Sequence, residues 1–162
     1  MSDPSPAPPD NAEVRVFPPA IFVGALAVGY AIEWFSPLPI LPADMVLMAR
    51  IFGALVTIVG ICFIALAMGA FRRAGTSVVP IEPTTALAFD GPYTFTRNPM
   101  YLGMALILAG LAFVGNALWP LLMLIPAVVT VRTQVIAKEE AYLERKFGAA
   151  YRDYKARVRR WI

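Results

Sequence analysis

Apolar and polar positions along the chain sort into long hydrophobic stretches separated by short polar segments. The first stretch runs from about Ala20 to Phe35, with Glu33 near its end, and leads into the Pro-rich turn SPLPILPAD. The second, Met45 to Phe71, is interrupted only by Arg50 and is uncharged from Ile51 onward. It is ample for a bilayer crossing, which takes about 20 residues. A polar connector, residues 72–99, separates it from an uncharged run of 32 residues, Met100 to Val131.

As a single helix that last run would extend about 48 Å at 1.5 Å per residue, against roughly 30 Å of hydrocarbon. The stretch VGNALWP supplies a break at Gly115-Asn116, with Pro120 just inside the helix that follows. A hairpin is therefore expected, each arm short for a full crossing, with local thinning or tilt to compensate. Beyond it Leu143, Phe147, Tyr151, Tyr154, Val158 and Trp161 recur at spacings of four, four, three, four and three. That is the apolar stripe of an amphipathic helix, suited to lying on a membrane surface or covering a cavity mouth.

Composition sharpens this reading. Only 15% of the residues are charged, about a quarter being usual for soluble domains, and mean hydropathy is +0.65. The expected fold class is an all-α integral membrane protein. It has about four transmembrane helices, the last two forming a short hairpin, and a C-terminal amphipathic helix. Residues 1–16 read as a disordered Pro-rich tail, 17–71 as two transmembrane helices, 72–99 as a connector, 100–136 as the hairpin and 137–162 as the amphipathic helix. The tail has no basic n-region and so is not read as a signal peptide.

Basic residues set the orientation. Arg72 and Arg73 follow the second span, and residues 132–162 carry nine basic side chains against four acidic ones. The two turns at the opposite end hold one charge, Asp44. Four spans with both termini in the cytoplasm satisfy the positive-inside rule, and a bacterial inner membrane is the expected location. Glu33 and Arg50 then lie near the outer surface on consecutive helices and are expected to pair. The lone cysteine, Cys62, reads as a structural thiol facing lipid or a neighbouring helix. The absence of histidine makes transition-metal sites and histidine-based triads poor candidates, and nothing points to nucleic acid.

Candidate chemistry begins with TFTRNPMYLG, residues 94–103. Asn98 suits an N-cap and Pro99 the first helical position. A helix starting there would aim its free N–H groups and positive dipole end beside Arg97, making a small anion site. The plainer alternative is that Arg97 snorkels to lipid phosphate while Asn-Pro caps a helix. Glu139 and Glu140 stand at the same depth on the same side. Adjacent acids are commonly solvated or serve the first turn's dipole. Facing an anion site, they would suit a ligand carrying both signs of charge.

GPYTFTRNPMYLG, a hydrophobic hairpin, and EEAYLERKFGAAYRDYKARVRRW, in that order, resemble the isoprenylcysteine carboxyl methyltransferase and phospholipid methyltransferase families. The resemblance covers about residues 75–161, reaching upstream through GTSVVPIEPTTAL. It implies an integral membrane enzyme that binds S-adenosylmethionine between the last two spans, the connector and the C-terminal helix, and methylates a lipophilic small-molecule or lipid-modified acceptor arriving from the membrane lipids. Under it, the cofactor carboxylate meets Arg97, Asn98 and the Pro99 helix start, while Glu139 and Glu140 take its ammonium or ribose hydroxyls. Tyr93, Tyr101 and Leu102 line the adenosyl pocket, with Thr85 and Leu87 on the connector side. Gly103 admits the backbone closely, and Tyr151 and Tyr154 close the pocket. Arg97, Glu140 and Arg157 are the candidate catalytic groups, Arg157 for an anionic acceptor.

Relatives acting on prenylated proteins usually have histidine where this chain has Asn98 and Thr85, which bears on the acceptor rather than the cofactor. A carboxylate acceptor needs no general base; an amine must lose a proton, with Glu140 or a tyrosine assisting. Two other classes stand beside this one. Sterol reductases of the C14/C7 type have a similar C-terminal segment and use a nicotinamide cofactor, but are much longer. A non-catalytic scaffold, in which the motifs only cap helices, is the other.

Overall fold

The computed structural model describes residues 10–14, 16–76 and 83–162, and every regular element among them is helical. Residues 1–9 of the Pro-rich tail, and 77–82 in the upstream reach of the motif, lie outside the described residues. Four apolar helices, α1 (Pro18–Phe35), α2 (Val46–Ala74), α3 (Pro99–Val114) and α4 (Leu118–Val131), are followed by α5 (Ala137–Phe147) and α6 (Ala149–Arg157). A 3-10 turn, Gly91–Thr94, precedes α3, and a π-helical turn, Arg132–Ile136, joins α4 to α5.

Pro18–Phe35, Ala43–Ala74 and Leu118–Phe147 are long and apolar enough to cross a membrane, and α3 is a shorter apolar helix. Leu47, Ile51, Leu55, Ile58 and Leu66 on α2 are each more than half exposed, and Cys62 on the same helix is exposed and unpaired. Such an apolar surface, on helices that satisfy their own backbone bonds, belongs in lipid. The chain is an all-α integral membrane protein.

α3 sits in the middle, packed on α2 to one side and on α4 and α1 to the other. Two glycine pairs, Gly53 with Gly110 and Gly60 with Gly103, let the α2 and α3 backbones touch. A Cβ on Gly60 would lie 2.6 Å from the Gly103 carbonyl oxygen, and one on Gly103 would lie 2.7 Å from that of Gly60. The glycines are two turns apart on each helix, so the antiparallel pair meets along one straight seam. Gly103 therefore admits α2, where the sequence had suggested a ligand.

At the far end the two interhelical turns lock together. Asn116, in a left-handed conformation (φ 49°), donates from Nδ2 to the Leu41 carbonyl (2.9 Å) and accepts the Leu41 N–H at Oδ1 (2.9 Å). The break at Gly115-Asn116 is thus a true hairpin turn. Glu33 does not pair with Arg50. Its carboxylate instead accepts the Leu38 N–H at 2.7 Å and the Trp119 N–H at 3.5 Å. The Pro-rich turn frees backbone donors beside Glu33, and a carboxylate satisfies them strongly. α1 packs mainly on α4 and α2 on α3, which leaves Arg50 on an exposed face.

Two further expectations change. Leu118–Phe147 is one continuous helical stretch of 30 residues, so α5 prolongs the last span instead of starting a separate helix at residue 137. The break comes at Gly148, whose φ of 54° combined with ψ of −121° favours glycine, and the chain leaves α6 extended at Val158 (φ −115°, ψ 131°). The other change is at the N-terminus. Ala12 and Val14, placed in a free tail by composition, are each only 6% exposed and join the core cluster of Phe22, Leu108, Val135, Ile136 and Tyr142. Both are buried although Glu13 between them takes a left-handed conformation (φ 49°).

The glycine seam gives a stability test. Gly60→Val or Gly103→Val should lower stability by about 1–3 kcal/mol or more by forcing the backbones apart, read as the thermal unfolding midpoint in detergent. Gly24→Val, where an added Cβ meets nothing within 4 Å, should leave the midpoint nearly unchanged.

Candidate functional site

Thr96, Arg97 and Asn98 lie between the 3-10 turn and α3, and their main role is to hold the extended C-terminal residues. The Arg97 N–H donates to the Arg159 carbonyl (2.9 Å), and Thr96 Oγ1 (3.1 Å) and Asn98 Nδ2 (2.9 Å) both donate to that of Arg160. Asn98 occupies the N-cap position of α3 without making a side-chain cap bond. Its amide is drawn instead to a carbonyl of the extended strand, which has no helical partner of its own.

The charged side chains converge on one carboxylate. Arg97 Nη2 lies 3.0 Å from Glu140 Oε1, with the two side chains only 9% and 8% exposed. Arg160 approaches the same carboxylate through Nε (3.0 Å) and Nη2 (2.5 Å), and Arg97 Nη1 also donates to the Lys155 carbonyl (3.1 Å). Two guanidinium groups on one carboxylate leave a surplus positive charge. Arg97 Nε is buried and has no hydrogen-bond partner among the described residues. Such a donor is costly unless something accepts from it.

Beside this cluster opens a cavity of about 120 Å³. Of the residues singled out from the sequence, Leu87, Tyr93, Arg97, Asn98, Tyr101, Glu139, Glu140, Tyr151 and Tyr154 line it. The inward stripe of α5 and α6 thus covers a cavity. Tyr154 donates to the Tyr93 carbonyl at 2.8 Å, fastening α6 over the 3-10 turn, and Phe71 meets the Tyr93 ring edge-on at 5.4 Å. Tyr101 donates to Glu139 Oε1 at 2.7 Å, and Glu139 has no cationic partner within salt-bridge distance among the described residues. Burial pushes the hydroxyls of Tyr93 and Tyr151 up and that of Tyr154 up to about 12, so all three are neutral donors, unsuited to act as bases near neutrality.

Five of the expected residues stand elsewhere. Thr85 closes the connector onto the end of α2, its N–H donating to Thr76 Oγ1 (3.0 Å) and its hydroxyl to the Gly75 carbonyl (3.1 Å). Pro99 is fully buried at the start of α3, Leu102 follows one turn on without reaching the cavity, and Gly103 faces α2. Arg157 is exposed, its Nε donating back to the Asp153 carbonyl at 3.2 Å. Because the helix ends there, Arg160 can reach back to Glu140.

Sequence reasoning missed Arg160, Thr84, Met100 and Tyr142 around the site. Only Tyr142 had a signal, three residues after Glu139 on one helical face. The π-turn at Arg132–Ile136, one residue longer than an α-turn, directly precedes the two glutamates, both of which face the cavity. Such turns recur at functional sites.

Residues 48–150, well over half of the chain, match the family described as phospholipid methyltransferase. The chain belongs to that family. An uncharacterized protein of Haemophilus influenzae is 50% identical over 65 residues, which are 39% of this chain and the whole of that protein. No solved structure matches. The family is one of membrane methyltransferases, and the shared region contains every helix that walls the cavity except α6, of which it takes in only the start.

The ionic cluster carries its own prediction. Glu140→Ala leaves two guanidinium groups facing a low-dielectric space and should cost about 3 kcal/mol or more. Faster amide exchange over residues 158–162 should accompany the lowered unfolding midpoint. Arg160→Ala, at a side chain 32% exposed, should release the same segment with a smaller loss.

Proposed function

We propose that this protein transfers a methyl group from S-adenosylmethionine to a lipophilic acceptor reached from the membrane. What carries the proposal is that Arg97 and Glu140 are in contact, so the loop before α3 and the acidic pair on α5 share one cavity. The residues present fit the cofactor. The unpartnered Arg97 Nε suits a carboxylate, Glu139 at the other side suits an ammonium or sulfonium, and tyrosines supply aromatic faces for a cation and a base. When bound, the cofactor would supply an electrophilic methyl, which an acceptor lone pair would take as the bond to sulfur breaks and the thioether S-adenosylhomocysteine leaves.

What remains for the protein is alignment and exclusion of water. Glu140 holds Arg97 and, through Arg160, the tail that roofs the site. Tyr101 fixes the Glu139 carboxylate, and Tyr154 and Tyr93 brace the opposite wall. Glu139 also supports an amine acceptor over an isoprenylcysteine-like carboxylate: it can take the proton an amine sheds, and it would repel a second anion. The nine-to-four basic excess of residues 132–162 supports placing this end of the bundle in the cytoplasm, in a bacterial inner membrane.

Titration of detergent-purified protein with S-adenosylmethionine and with NADPH tests the reading. Binding of the first alone is expected; NADPH alone would indicate a reductase, and neither a scaffold. Glu139→Gln should weaken S-adenosylmethionine more than tenfold at an unchanged unfolding midpoint, and unaltered affinity would remove Glu139 from the site. Transfer of radiolabelled methyl into a lipid extract would identify the acceptor.

A further inference from the structure

We propose that residues 10–14 are a gate over the cavity, latched where Asp10 meets Lys146 and Tyr142, and that a ligand from the aqueous side exchanges past it. What passes rests on the reading of the cavity as an S-adenosylmethionine site; the gate itself does not.

The cavity must open. Its volume of about 120 Å³ compares with roughly 300–1,000 Å³ for small-molecule pockets, so a nucleoside-sized ligand enters only if a wall moves. The walls differ in how firmly they are held. α2 and α3 touch backbone to backbone, and the helix carrying both glutamates is continuous with the last span. The C-terminal strand is fixed by backbone bonds and by Glu140.

The N-terminal segment is a weakly held wall. Ala12, which lines the cavity, and Val14 are small side chains with little area to bury. Among the described residues its hydrogen bonds to the rest of the protein are made at Asp10. Lys146 Nζ donates to Asp10 Oδ1 at 2.6 Å, and the Tyr142 hydroxyl donates to the same oxygen at 3.0 Å. That hydroxyl also accepts the Thr84 N–H at 3.1 Å, so one phenol ties the segment, the connector and α5 together at the cavity rim. The Asp10 side chain is 61% exposed, and water competes for this latch as it does not for Arg97 and Glu140. The Lys146 ammonium, and then the Tyr142 hydroxyl, hold the Asp10 carboxyl below its ordinary value, so the latch stays charged at neutral pH.

A cysteine reporter tests the gate without any ligand. In a Cys62→Ser background, Leu143→Cys places a thiol on the cavity wall, to be modified by a membrane-impermeant maleimide in detergent. Asp10→Lys should speed modification at least about fivefold at an unchanged unfolding midpoint. Tyr142→Phe should act in the same direction, and the exchange Asp10→Lys with Lys146→Asp should return the rate toward the parent's. An unchanged rate in Asp10→Lys, or no recovery in the exchanged pair, overturns the latch. S-adenosylmethionine should dissociate faster in Asp10→Lys by a similar factor; faster thiol modification with unchanged release would show that ligands pass elsewhere and overturn the gate as proposed. Should no variant bind S-adenosylmethionine, that failure falls on the proposed function, and the thiol rates still decide whether the segment opens.

Discussion

One carboxylate, Glu140, holds together the end of the molecule that carries the proposed site. Arg97 before α3 and Arg160 in the C-terminal strand both bond it, so three segments far apart in sequence are fixed at one point. Charges this buried are stable only when paired and hydrogen-bonded, and removal of the shared partner exposes the cost of the others. The cluster is therefore weak evidence of stability for its own sake. Its consequence is positional: it sets how the tail lies over the cavity, and it orients Arg97 with one donor left over.

Below that cluster the bundle is built differently. At the α2–α3 seam four glycines let backbones touch, with Thr57, Ile64 and Ile107 packed beside them. Membrane helices gain no hydrophobic drive from associating within lipid, so close packing of this kind supplies much of their adhesion. The outcome is a rigid apolar floor under a roof held by polar bonds. A polar ligand from water and an apolar acceptor from lipid need different routes. Polar bonds at a wetted rim can break and reform, whereas a glycine seam cannot open without losing all its contacts.

How much of this was legible in the sequence follows the kind of signal each feature leaves. Length and hydropathy located four apolar helices, and Gly115-Asn116 marked the turn because a left-handed residue leaves a compositional trace. The meeting of Arg97 with Glu140 was also readable, since span counting alone puts them on one side. Side-chain partners were not. Glu33 chose backbone donors over Arg50, because the Pro-rich turn freed those donors and α1 does not pack mainly on α2. Asn98 gave up its capping bond for a strand carbonyl contributed by residue 160, sixty-two positions away. Arg160 escaped notice for a related reason: helical spacing was carried past Arg157, and the chain is extended from Val158. The burial of Ala12 and Val14 left no trace in a segment whose composition is that of a tail.

The two ends of the bundle are made of similar material, turns between apolar helices, yet they use their polar groups differently. At the far end Asn116 uses both its amide groups on the backbone of residue 41, and Glu33 uses its carboxylate on two backbone N–H groups. Hydrogen-bonding capacity there is consumed by the fold, which gives a firm seal and no site. At the other end the fold leaves capacity over. Arg97 has a buried donor and Glu139 a carboxylate held by one phenol, with no acceptor for the first and no cation for the second among the described residues. A protein tolerates unmet polar groups at low dielectric where something outside the chain completes them. The opposite signs of the two, within one cavity, are what the proposed S-adenosylmethionine site rests on, since that cofactor carries an anionic and a cationic group on one small molecule.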